Sequence, residues 1–140
     1  MTGTETPLVG SKTAAISNMV VRLTSQYTGR GPTRARTYIH EDLVTVVLQD
    51  TLTKAERTLV GHDQGELVRT TRRAFQDAMQ RDLVAGLHEI LGRDVVAFLS
   101  ANETEPDYAV EIFILAPRSD NGSAAHVGDV LQQAEGQGVG

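Results

Sequence analysis

Apolar residues recur along this chain at two different periods, and the switches between them mark out the elements. From Thr13 to Tyr27, the residues Ile16, Met19, Val20, Leu23 and Tyr27 fall at helical spacing, while Ser17, Asn18, Arg22 and Gln26 take the other side. That pattern predicts an amphipathic helix of about four turns, with Gly29 close behind as a stop signal. The period then drops to two. Arg34 to His40 alternates, with Ala35, Thr37 and Ile39 facing one way and Arg34, Arg36, Tyr38 and His40 the other. Leu43 to Leu48 is apolar and β-branched and reads as a more deeply buried strand, and Glu41-Asp42 sits between the two runs at hairpin spacing.

Thr53-Lys54-Ala55-Glu56 matches a capping box, in which the Thr hydroxyl accepts from an early helix amide and the Glu reaches back to the cap. It predicts a short helix running toward Val60 and stopping near Gly61. A long helix follows, from Gln64 to Leu91 with Gly92 as its stop, and its stripe includes Val68, Thr71, Phe75, Ala78, Met79, Leu83, Leu87 and Ile90. Val95–Ala101 and Ala109–Leu115 read as the last two strands, joined by the polar loop Asn102–Asp107, which contains Pro106.

The element order α-β-β-α-α-β-β predicts an α+β fold. In this two-layer sandwich a four-stranded antiparallel sheet of two hairpins is covered by the N-terminal helix and the long central helix. Residues 1–12 are expected to be a flexible N-terminus, 13–116 the folded domain, and 117–140 a flexible, acidic, Gly/Gln-rich tail. Size poses a question, because a helix over 64–91 is ~42 Å long whereas six-residue strands span only ~20 Å. Either the helix kinks near Gly86 or its overhang packs on another subunit, and a homodimer is the expected outcome.

Composition narrows the function classes. The chain has 140 residues, enough for one domain with a real core. It has no cysteine, which removes disulfides, thiolate metal sites and cysteine nucleophiles together. Trp is absent, so Val, Leu, Ile and Ala must build the core, with Phe75, Phe98 and Phe113 as its large pieces. Met1–Gly10 shows no basic region followed by an apolar stretch, so no secretory signal is expected. Apolar runs such as Ile112–Ala116 fall far short of the ~20 residues of a membrane span, so no direct membrane insertion is expected. The net charge of −5 gives no strong nucleic-acid signal.

The chemically suggestive segment is Gly29-Arg30-Gly31-Pro32-Thr33-Arg34-Ala35-Arg36. Glycines let successive backbone N–H groups converge on an anion, and arginines add a fork that matches carboxylate or phosphate. Gly29, Arg30, Gly31, Thr33, Arg34 and Arg36 are therefore the candidate anion-binding residues, set against a plain tight turn with solvated arginines. No catalytic constellation is visible: there is no Gly-x-Ser-x-Gly elbow, and the four histidines lack metal-ligand spacing. No cofactor and no metal are expected. Arg69, Arg72 and Arg73, with Asp77 and Arg81, read as a solvated, ion-paired face of the long helix.

One combination is more specific than its parts. Gly29-Arg30-Gly31-Pro32, Arg36-Thr37-Tyr38, Asp42-Leu43-Val44-Thr45-Val46 and Leu52-Thr53-Lys54-Ala55-Glu56-Arg57-Thr58-Leu59 follow in close order, with Arg72-Arg73-Ala74-Phe75 and Gly92-Arg93-Asp94-Val95-Val96 further on. This combination resembles the MpsC family, small bacterial proteins named for a Na+-translocating, membrane-potential-generating system, over roughly residues 13–116. The resemblance implies association with a membrane system linked to cation movement and inorganic-carbon supply, and carries no catalytic residues with it. The expectation is a non-enzymatic, cytoplasmic accessory or regulatory component, peripheral at the inner face of the membrane through transport subunits. The alternatives are a small-anion or metabolite sensor using the Gly-Arg-Gly-Pro turn and an RNA-binding module.

Overall fold

The computed structural model describes residues 6–118, with side chains from Gly10 onward. The chain runs α1 (Thr6–Thr28), β1 (Arg34–His40), β2 (Leu43–Gln49), α2 (Lys54–Gly61), α3 (Gly65–Leu91), β3 (Val95–Glu103) and β4 (Tyr108–Leu115). The expected α+β order is the observed one. The strands form one antiparallel sheet in the order β1-β2-β4-β3, so the two hairpins meet along the β2–β4 seam. The tail beyond Arg118 and the first five residues lie outside the described residues.

Each boundary has a local cause. The Thr53 hydroxyl accepts from the Glu56 amide, and the Glu56 carboxylate accepts from the Thr53 amide, so the capping box is formed in full. Gly92, at φ +67°, closes α3 in the left-handed region that favours glycine. Helix α1 begins at Thr6, seven residues before the sequence pattern starts at Thr13. Its early turns are tied down from outside, because the Lys12 ammonium donates to the Ile90 carbonyl at 2.8 Å, one of the last-turn acceptors of α3.

Both long helices cover one face of the sheet. Ile16, Met19, Val20 and Leu23 of α1 and Met79, Leu83 and Leu87 of α3 pack on Val44, Val46, Leu48, Ala109, Phe113 and Leu115. Phe98 adds a tilted ring contact to Phe113, with centroids 5.1 Å apart. The helices run counter to each other, with Lys12 at Ile90, Met19 at Gly86, and the Tyr27 hydroxyl donating to Asp82 at 2.7 Å.

Helix α3 is one unbroken helix from Gly65 to Leu91. It is continuous through Gly86, where a Cβ would stand 2.8 Å from the Met19 sulfur, so the glycine serves the close approach of α1. Buried residues run along its whole length, from Val68 to Leu87, because α1, α2 and the sheet meet it in succession. The helix length is thus accommodated within one chain. The stripe itself differs from expectation: Arg72 and Gln76 are buried, while Thr71 and Ala78 are exposed. Arg72 does not belong to the solvated face. It continues the i, i+4 series from Val68, and a partner inside the molecule neutralises it.

Candidate functional site

The Gly-Arg-Gly-Pro turn is held by its own backbone and by one ion-pair cluster. Gly29 adopts φ +86°, and its amide donates to the Ser25 carbonyl at 2.9 Å. A Cβ on Gly31 would stand 3.3 Å from Val21, so this glycine lets the turn lie against α1. The Arg30 guanidinium reaches the end of β2, donating to the Asp50 carboxylate at 2.7 Å and to the Asp50 carbonyl at 3.3 Å. Arg57, from the first turn of α2, approaches the other Asp50 oxygen at 3.2 Å and donates to the Leu52 carbonyl. One carboxylate thus holds two arginines and ties the α1–β1 turn to α2.

The six candidate residues therefore separate. Gly29 and Gly31 shape the turn. Arg30 is engaged by Asp50. Thr33 and Arg34 line an open cleft of about 680 Å³ at this end of the sheet, whose other walls include Asp50, Arg57, Glu105, Asp107 and Tyr108. Arg36 stands apart, exposed on the face of β1 turned away from the helices. Asp107 is engaged in structure, accepting from the Thr51 hydroxyl at 2.9 Å and the Leu52 amide at 3.0 Å. Arg57 joins the cleft unforeseen. The capping box showed that a helix begins beside it, but not that α2 folds over the end of β2.

A second cluster lies inside the fold. Arg72 makes a two-pronged pair with Glu56, at 3.0 Å from Nε and 2.5 Å from the terminal nitrogen, and also donates to the Thr51 carbonyl. One turn on, Gln76 donates to Glu111 at 3.0 Å and accepts from Asn102 at 2.6 Å, and the Ser100 hydroxyl donates to the other Glu111 oxygen at 2.5 Å. Glu111 is 2% exposed. Burial pushes its carboxyl up to about 7, against the opposing pull of the Ser100 and Gln76 hydrogen bonds and the Arg72 charge. A cavity of about 10 Å³, enough for roughly one water, sits beside Thr24, Thr51, Arg72, Gln76 and Glu111. Among the described residues, no group of three or more His, Asp or Glu side chains is placed to hold a metal ion.

The fold and these clusters define a small α+β domain with a one-sided sheet and a polar seam through its core. The chain belongs to the MpsC family: the description "Na+-translocating membrane potential-generating system (MpsC)" matches residues 9–117, from the second turn of α1 to just past β4. Membership associates it with such a system. A similar curated protein is the uncharacterized protein YrhF of Bacillus subtilis (strain 168), 24% identical over 114 residues that cover 80% of this chain and 93% of that protein. No solved structure matches the chain.

Proposed function

We propose that this protein is a non-enzymatic accessory or regulatory component of a membrane cation-transport system, held on the cytoplasmic side through a protein partner. The observation that carries this reading is the extent of the family match, which takes in every element of the α+β body. Among the described residues no helix is long and apolar enough to cross a membrane. The test is purification of tagged, full-length protein at native expression from gently solubilised membranes. Co-purification of integral membrane subunits in fixed ratio is the expected result. Recovery of the protein alone, in the free fraction, overturns the reading.

A second reading has its own observation, the cleft onto which Arg34 and Arg57 open. Two guanidiniums at one opening suit a carboxylate, phosphate or bicarbonate. Titration with phosphate and with bicarbonate tests it: Arg34→Ala abolishes binding if the cleft is the site, and unchanged affinity removes the assignment. The RNA reading is the weaker one. Tyr38 and Tyr108 are both exposed on the open sheet face, but by strand geometry they stand roughly 17 Å apart and offer no adjacent stacking pair.

A further inference from the structure

The sheet has two faces, and the described helices cover one. On the other, the pairing register sets the side chains in rows that run across all four strands. The first row reads Arg34, Gln49, Tyr108, Glu103, and the second Arg36, Val47, Val110, Ala101. The third is Tyr38, Thr45, Ile112, Leu99, and the fourth ends in Leu43, Ile114 and Ala97. Of the two middle strands, β4 stays apolar on this face, whereas β2 alternates Leu43 and Val47 with Thr45 and Gln49 here and keeps only apolar residues on its covered side. In β4, Val110, Ile112 and Ile114 point outward, while the carboxylate of that strand, Glu111, points into the core. Strands apolar on both faces are the pattern of sheets covered on both sides. Leu99 is 53% exposed and Tyr38 53%.

We infer that a second copy of this chain covers this face, the two sheets packing face to face about a twofold axis parallel to the strands. The charge pattern selects that axis. The outer edge formed by β1 carries Arg34, Arg36 and His40, and the opposite edge, β3, carries Glu103 at the end of the Arg34 row, a half-exposed carboxylate whose Oε1 also accepts from the Thr104 amide and lies 3.6 Å from Arg69 of α3. A twofold along the strands keeps each row in place and exchanges the edges. β1 then lies over β3 of the second copy, and Arg34 of each copy meets Glu103 of the other, twice per dimer. Tyr38 falls over Leu99, Thr45 over Ile112 and Val47 over Val110. The other in-plane axis, across the strands, would stack β1 on β1 and bring the basic edges together.

Size sets the expected strength. Four strands at ~4.8 Å spacing and seven residues at ~3.4 Å make a face of roughly 450 Å² per copy. A pair buries on the order of 1,000 Å², the low end of specific interfaces. An interface of that size suits a reversible dimer whose population depends on concentration. This inference does not depend on the transport reading, since it concerns the free protein.

Sedimentation velocity of the full-length chain from about 1 to 200 μM tests it, with circular dichroism confirming the fold of each variant. Wild-type protein shows a concentration-dependent monomer–dimer equilibrium, and Leu99→Lys weakens it at least tenfold. Arg34→Glu and Glu103→Arg each weaken it, and the double variant Arg34→Glu/Glu103→Arg recovers most of the loss. A monomer throughout the range overturns the inference, as does a dimer indifferent to Leu99→Lys. A double variant as weak as the product of the two single effects overturns the proposed axis. If wild type is monomeric and a chain ending at Arg118 dimerises, the tail occupies the face and the inference fails for the whole protein.

Discussion

Glu111→Gln should make the protein more stable at pH 8 and leave it nearly unchanged at pH 4. The Glu111 carboxyl titrates at about 7 in the folded protein, against 4.5 for an ordinary glutamate, and desolvation is the main cause. Below 4.5 it is neutral in both the folded and the unfolded chain and contributes no pH dependence. As pH rises through 4.5 the unfolded chain ionises while the folded one holds its proton. Folding stability therefore falls by about 1.4 kcal/mol per pH unit. The loss levels off above about 7, where the folded carboxyl ionises as well. Over the whole window it amounts to roughly 3 kcal/mol, a large share of the 5–15 kcal/mol typical of such a domain.

Glutamine copies the protonated carboxyl closely. Its carbonyl accepts from Gln76, its amide donates to the Ser100 oxygen, and the volume is nearly the same. Urea denaturation followed by far-UV circular dichroism, at half-unit steps from pH 4 to 8 and at submicromolar protein, measures both curves. Other carboxylates titrate in both proteins and cancel in the difference. The difference curve should be near zero at pH 4, climb through pH 5 and 6, and reach roughly 3 kcal/mol in favour of the variant by pH 8. A difference that stays flat across the window would refute the argument, because it would mean that the buried carboxylate carries no desolvation penalty.

Two further perturbations separate buried from exposed charge. Glu56→Ala removes the partner of Arg72, whose side chain is 5% exposed, and should cost about 3–5 kcal/mol by leaving a charge uncompensated in the core. Glu56→Ala combined with Arg72→Met should cost clearly less than that single change, and equal or greater loss in the double variant would contradict the explanation. Arg30→Ala breaks a pair whose side chains are about one-third exposed, and Arg57 stays on Asp50, so the cost should be under about 1 kcal/mol. A loss of several kcal/mol in the same urea titration would show that the turn depends on Arg30 far more than its geometry indicates.

What could be read from the sequence was whatever its signal carried locally. Thr53 and Glu56 are three residues apart and cap the same helix, so no knowledge of the fold was needed to place α2. The two hairpins were legible for the same reason, since Glu41-Asp42 and the polar loop with Pro106 each separate two runs of strand length. Arg72 and Gln76 were not. Their neighbours on the helix face are apolar, but their own identities point to solvent, and what holds them inside comes from far along the chain. Glu56 is sixteen positions from Arg72, and Glu111 thirty-five from Gln76. The arginine turn was read in part. Its tight geometry is local, whereas the engagement of Arg30 by Asp50 requires β2 to end beside it.

The hardest element to read was β4, and its ambiguity has a physical meaning. In Ala109-Val110-Glu111-Ile112-Phe113-Ile114-Leu115 both parities are apolar, and the lone charge would assign the Glu111 face to water. The structure does the opposite. It buries Glu111 and spends Ser100, Gln76 and Asn102 on a polar seam around it, while Val110, Ile112 and Ile114 look outward. That arrangement puts a desolvated carboxyl inside and an apolar surface outside, and each is costly for an isolated monomer. A partner sheet on the open face removes the second cost without changing the first. The stability of Glu111→Gln and the association of the wild-type chain are therefore separate measurements on opposite faces of one strand. Raising pH from 4.5 toward 7 should weaken folding through Glu111, a group that lies beneath the sheet and not on the surface the second copy meets.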